Sequence, residues 1–418
     1  MKIKQIQARE ILSSGATPSL EVKVVLDNGA VGMASVPFGA SAGIHEACVL
    51  FDKDVKRFGG AGMLKAVADV NDKIAPKLIG QNPLEQKKID QIMIELDGTD
   101  NKSKLGGNAI LGVSLAAARA AAMAKKMPLY AYLRECFHLP YKKYVLPKPM
   151  MVMIEGGKHA ADSTDLQEYL ITPVGQKTIK ENIRCGAEIY LALKKVLKEK
   201  GLNANVGNEG AFAPAGLKDN EAPWQLILQA IKNAGYTAGK DVMLSADPAT
   251  SEIFTNGKYH LKKEGLTLSS RQLINYFKKW VAKYPFLSLE DPLAEDDWES
   301  WPIIMKELGK KVRIVGDDLT VTNPERLAKA IKLKAINAIL IKLNQIGTLS
   351  ETIQTIEIAH QAKLWSIVSH RGGGETNDAF MIDLAVATNS EFVKVGISRG
   401  ERVEKYNRLM EIEDELSF

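Results

Sequence analysis

Three cysteines in 418 residues, scattered at Cys48, Cys136 and Cys185 with no CxxC pair, argue against a disulfide framework and suit a reducing compartment. A long apolar run is also missing. The opening residues, MKIKQIQARE, hold no signal-type core, and the Ala-rich segment 109–124 is interrupted by Arg119, so neither secretion nor a membrane span is expected. Charge of one sign is scarce too. Fifty-five Lys and Arg against 50 Asp and Glu give a net charge of +5, and no basic tract with interleaved aromatics accompanies it, so nucleic acid is not an expected partner. No internal repeat or low-complexity tract is present. The expected setting is the cytoplasm.

What is present is a series of apolar strand-like runs that each end in an ionisable side chain. VMLSAD ends at Asp247, FLSLE at Glu290, RIVGD at Asp317, AILIK at Lys342, WSIVSHR at His370 and Arg371, and FVK at Lys394. Successive members lie 43, 27, 25, 28 and 24 residues apart, about one strand plus one helix each. Amphipathic stretches fill the gaps. Residues 269–283 offer Ser269 and Ser270 as caps, residues 323–334 place Pro324 in a first turn, and residues 348–362 begin with Thr348. Short buried strands alternating with such helices imply a parallel sheet, and six repeats favour a closed β/α barrel with its chemistry at the strand ends.

Three acids at neighbouring strand ends repel one another in a low-dielectric pocket and call for a cation between them. Hard oxygen ligands without a Cys or His cluster point to magnesium. A lone strand-end acid is more often a helix cap or a solvated charge. Three acids in register followed by three cationic positions in register are not explained that way.

The chain exceeds the usual barrel length by well over a hundred residues, so a second domain is expected. The fold class is therefore α/β: an N-terminal α+β domain over 1–138 and a (β/α)8-type barrel over 139–418. Residues 19–36 alternate around Asp27-Asn28-Gly29, a hairpin signal, and helical patterns follow near 62–78, 83–96 and 107–126. The stretch HLPYKKYVLPKP, with Pro140, Pro147 and Pro149, reads as the linker.

Long contiguous segments carry a resemblance across the chain. LDGTDNKSKLGGNAILGVSLA, KPMMVMIEGGKHA, DLQEYLITPVG, GNEGAFAP, YPFLSLEDPLAEDDWESW, VGDDLTVTNPERLAKAI, LIKLNQIGTLSETI and ERVEKYNRLMEIEDEL resemble the enolase family. The resemblance implies a capping domain on a barrel that begins β-β-α-α. It also implies a hydro-lyase that converts 2-phosphoglycerate to phosphoenolpyruvate in glycolysis, and the reverse in gluconeogenesis, with two Mg2+ ions per site. In such a reaction the difficult step is removing a proton beside a carboxylate, and divalent cations hold the charge that develops.

Residue by residue, the resemblance makes Asp247, Glu290 and Asp317 ligands of the first magnesium and Ser41 a ligand of the second. Lys342 becomes the general base, with Lys394 and the metal expected to lower its ordinary value near 10.4. Glu209 becomes the acid that helps expel the hydroxyl, and Glu168 its carboxyl partner, with Gln167 beside them as a supporting hydrogen-bonding group. His370, Arg371 and Gly372 match the phosphate side. His159, in GGKHA, matches a mobile loop, and Gly39, Ser41 and Gly43 match a second closing loop.

Departures from the family pattern lie outside this charged set. Gly15 stands where an arginine is usual, Phe38 and Ala42 replace hydroxyl residues, and Glu155 replaces the asparagine of NGG. Asn208 and Ala211 alter GDEGG, and one glycine is inserted after Arg371. A homodimer or higher homo-oligomer is expected. Arg9 and Glu401 match one intersubunit ion pair, but Glu411 replaces the arginine that would meet Glu21. Two other readings stay open: a paralogous lyase acting on a related phospho- or phosphono-acid, and a non-catalytic role in surface binding, with secondary surface association.

Overall fold

The computed structural model describes residues 1–38 and 43–417. Ile3–Leu12, Pro18–Leu26 and Val31–Val36 form an antiparallel three-stranded sheet. Leu20, Val22, Val24 and Leu26 alternate into its buried face. The expected hairpin turn is there, with Gly29 at φ 87° and Asn28 Oδ1 accepting the Ala30 N–H at 3.1 Å. The first strand was not foreseen in the sequence, because its buried positions alternate only in part.

Helix Gly107–Lys125 packs on this sheet so closely that a Cβ at Gly112 would meet Val22 at 2.6 Å. By length and composition it is the one helix among the described residues that could cross a membrane. Yet 83% of its apolar window is buried in the protein, which makes it a core helix.

Eight strands close into a barrel in the order Lys148–Glu155, Glu168–Pro173, Val242–Asp247, Phe286–Glu290, Arg313–Gly316, Ala338–Ile341, Trp365–Ser369 and Phe392–Lys394. The second strand runs antiparallel to both neighbours and the others are mutually parallel. Its first residue, Glu168, therefore lies at the same end as the last residues of the rest, in register with Glu155 and Asp247.

The expected helices form. Ser270–Lys283 is capped by Ser269 through a full capping box with Gln272, and not by Ser270, whose hydroxyl turns to Asp297. Asn323 and Thr348 cap Pro324–Leu333 and Leu349–Gln361. The linker is shorter than the sequence suggested. Pro149 is the second residue of the first barrel strand, near its start, where a missing N–H is tolerated.

Candidate active site

All the strand-end residues arrive at one mouth. His159, Gln167, Glu168, Glu209, Asp247, Asp317, Lys342, His370, Arg371, Gly372 and Lys394 line a single cleft. Glu290 joins them through its contact with Lys394, and Ser41 lies outside the described residues, as do Gly39 and Ala42. The second and sixth strands are four places apart in a ring of eight, so Glu168 and Lys342 face each other across the mouth. Asp247, Glu290 and Asp317 occupy the arc between them on one side. His370, Arg371 and Lys394 occupy the other.

The acids are compensated by lysines. Lys394 Nζ lies 2.8 Å from Asp247 Oδ2, 2.7 Å from Glu290 Oε1 and 2.9 Å from Glu168 Oε2, all deeply buried. Burial alone would lower the Lys394 value, but Asp247, Glu168 and Glu290 push it well above the ordinary range. Glu290 is raised well above its ordinary value by burial and by Asp247. Asp317 is turned to Lys342 and accepts the Gln345 side-chain N–H at 2.8 Å.

This is a buried, all-carboxylate set with no thiolate, bracketed by positive charge. Such donors fit a hard divalent cation, with Asp247, Glu290 and Asp317 as the groups that would hold it. Asp291, Asp317 and Asp318 also bring an oxygen each within 4.8 Å of one another.

For Lys342 the direction differs from the sequence expectation. Burial lowers its value, and Arg371 and Lys394 add to that, but the directly contacting Asp317 carboxylate raises it above the ordinary range. Proximity decides, since Coulomb energy falls with distance. With Asp317 engaged elsewhere, burial, Arg371 and Lys394 would all act to release the proton.

Opposite Lys342, four side chains meet. His159 Nδ1 is 3.4 Å from Glu168 and 3.8 Å from Glu209, and His370 Nε2 donates to Glu209 Oε2 at 3.1 Å. Burial raises Glu168 well above the carboxylate range, with Glu209 adding to it. Burial would raise Glu209 as well, but His370 and His159 hold it well below. The pair thus divides as expected for neighbouring carboxyls, with the proton resting on Glu168. Burial also keeps both imidazoles below the ordinary histidine value.

Just past the seventh strand, Arg371 Nη1 donates to Glu46 at 3.0 Å. Gly372 is pressed against the acid pair, where a Cβ would lie 2.8 Å from both Glu209 Oε1 and His159 Nε2. Three of the departures from the family pattern meet beside it. A Cβ on Gly15 would strike the Gly373 carbonyl, Phe38 N–H donates to Gly374 O at 3.1 Å, and Ser14 N–H donates to Glu375 O at 2.8 Å. Gly15 therefore packs directly against the glycines after Arg371, where the resemblance places the added one.

Sequence reasoning passed over Asp291 and Glu46. Asp291, at φ 36°, accepts the N–H groups of Asp317 at 2.9 Å and Asp318 at 2.7 Å, tying the fourth strand end to the fifth. The only signal for it was its place next to Glu290. Arg9, expected at a subunit interface, donates to Glu21 of its own chain at 2.7 Å, and Glu401 contacts Arg402.

A larger surface cavity of about 670 Å³ opens beside the site between residues 157–165 and 252–263. Several of its polar groups are spent on one another, Lys158 on Glu252 and Lys263 on Asp162 and Asp165, so the chemistry lies in the smaller cleft.

Two family models match the chain. One, described as the enolase C-terminal TIM barrel domain, covers residues 143–418, and the other, the enolase N-terminal domain, covers residues 3–133.

Proposed function

This chain belongs to the enolase family, whose domains make it an enolase-fold lyase, and from that premise we propose that it dehydrates 2-phosphoglycerate to phosphoenolpyruvate, a step of glycolysis. The observation that carries this reading is the opposition of Lys342 to the Glu168–Glu209 pair across the barrel mouth. An elimination needs a base on one side of the substrate and an acid on the other.

Lys342, as the free amine, takes the proton from the carbon that bears the phosphate. The electron pair left behind becomes the carbon–carbon double bond as the neighbouring carbon–oxygen bond breaks, and the hydroxide leaves as water with a proton from the acid pair. Glu209 faces the leaving group and Glu168 holds the proton, so the two carboxyls act as one acid. Magnesium bound by Asp247, Glu290 and Asp317, with a second ion at Ser41, would supply positive charge to the substrate carboxylate and phosphate. Lys394 keeps three carboxylates in place around that position. Arg371 and the N–H groups following it receive the phosphate, and His370 holds Glu209 ionised between turnovers. Residues 1–138 serve as the capping domain and 139–418 as the catalytic domain of a cytoplasmic homodimer.

One observation favours a second reading. Gly15, Phe38 and the glycines after Arg371 change the wall at the phosphate end, which suits a lyase for a related phospho- or phosphono-acid. Purified protein with millimolar magnesium, assayed by the ultraviolet absorbance of the carbon–carbon double bond formed beside the carboxylate, separates the two. Turnover of 2-phosphoglycerate supports the first reading, and turnover of a phosphonate analogue alone supports the second.

A further inference from the structure

Glu155 ends the first barrel strand and is wholly buried, and the chemistry above leaves it unused. Its Oε1 accepts the peptide N–H of Glu209 at 3.0 Å and of Ala211 at 2.9 Å, and its Oε2 lies 3.2 Å from the Glu209 nitrogen. The loop is shaped around this side chain. A Cβ on Gly207 would lie 2.5 Å from Glu155 Oε2, so only glycine fits there. Oε2 is also 3.9 Å from His159 Nδ1, the nitrogen that Glu168 and Glu209 face at 3.4 and 3.8 Å.

We infer that Glu155 is a positioning residue for Glu209, clamping the peptide groups on both sides of Gly210 and placing a third buried carboxyl beside His159. This rests on the reading of Glu209 as part of the acid pair. An amide in this position accepts the same two N–H groups but cannot ionise. A carboxyl can, and here burial and the neighbouring Glu209 push it up to about 8, although the two N–H groups and Arg402 favour its charged form.

The groups facing it are Glu209 and His159 from the adjoining loops, Arg402 from the C-terminal helix and Tyr190 from helix Ile179–Glu199. Near neutral pH Glu155 is a neutral clamp. Above about pH 8 it becomes a second negative charge against the Glu209 loop.

The test compares wild type with Glu155→Ala and Glu155→Gln. Loss of the clamp in Glu155→Ala lowers kcat about 100-fold, the scale of a displaced catalytic group, with KM moved less than about threefold. Glu155→Gln recovers most of that loss, and its log kcat against pH departs from the wild-type curve above about pH 8. Amide resonances of Glu209 and Ala211 report the clamp without any substrate: in wild type both titrate together near pH 8, and in Glu155→Gln neither does.

Flat amide titrations in the wild type overturn the inference, as does Glu155→Ala turnover within threefold of wild type. If Glu155→Ala fails to fold, the Glu155→Gln curve and the amide titrations still decide. If the wild type turns over no 2-phosphoglycerate, the proposed reaction falls while the amide titrations still judge the clamp.

Discussion

Lys394 Nζ stands 2.7 Å from Glu290 Oε1 at the mouth of the barrel, and the same ammonium reaches Asp247 and Glu168. A buried cation shared by three carboxyl groups cannot be removed without leaving negative charge unpaired among them. Lys394→Ala is expected to cost about 3–5 kcal/mol of stability, the usual scale for breaking a buried pair from one side. Magnesium should return more stability to this variant than to wild type, because a bound cation relieves the same repulsion. Thermal unfolding of both proteins with and without magnesium checks this. A smaller rise in Tm for the variant contradicts it.

The pairing of Lys342 with Asp317 makes a prediction about the base. Lys342→Ala removes proton abstraction, and kcat should fall by about 10³–10⁴-fold, within the range of general-base loss. Asp317 keeps its bond from Gln345, so the far-ultraviolet circular dichroism spectrum should match wild type. Loss of that spectrum would mean that the residue is needed for folding first.

Asp90 joins helix Gln86–Asp97 to the barrel by accepting the N–H and hydroxyl of Ser350 at 2.9 and 2.6 Å. Burial pushes it from its ordinary 3.8 to about 6. A carboxyl raised on folding favours the native state most while protonated, so its contribution is complete below pH 3.8 and is lost as pH rises through 6. Between pH 5 and 7 the wild type should lose about 1.4 kcal/mol relative to Asp90→Asn, one unit of protonation. Denaturant unfolding of both proteins at the two pH values measures it, and a difference independent of pH refutes it.

Gly15 has no room for a side chain, since a Cβ there meets the Gly373 carbonyl. Gly15→Ala should therefore displace the loop after Arg371 and raise KM for the phosphorylated substrate by about 10-fold, with a smaller effect on kcat. Restoring the family's arginine alone should do more harm. Deleting Gly373 together with Gly15→Arg should be milder than either change alone, and steady-state kinetics of the three proteins test the coupling.

The strand-end series was legible in the sequence because a barrel repeats at the length of a strand plus a helix and delivers each terminal side chain to one mouth. Asp247, Glu290, Lys342 and Lys394 all follow that rule. Pairing was not legible. The rise in the Lys342 value depends on which of Asp317, Arg371 and Lys394 is nearest, a matter of ångströms that spacing does not encode. Asp291 escaped notice because its work is done from a positive φ, through the N–H groups of Asp317 and Asp318. Glu155 looked like a lost amide, and only the bonds from Glu209 and Ala211 show that its carboxyl is used.

Hydrogen exchange at the substrate carbon beside the carboxylate, followed in deuterated water, tests the two-sided site most directly. Glu209→Gln, with its acid impaired and its base intact, should exchange that hydrogen while forming little phosphoenolpyruvate, and Lys342→Ala should do neither. Exchange that survives in Lys342→Ala contradicts the assignment of the base.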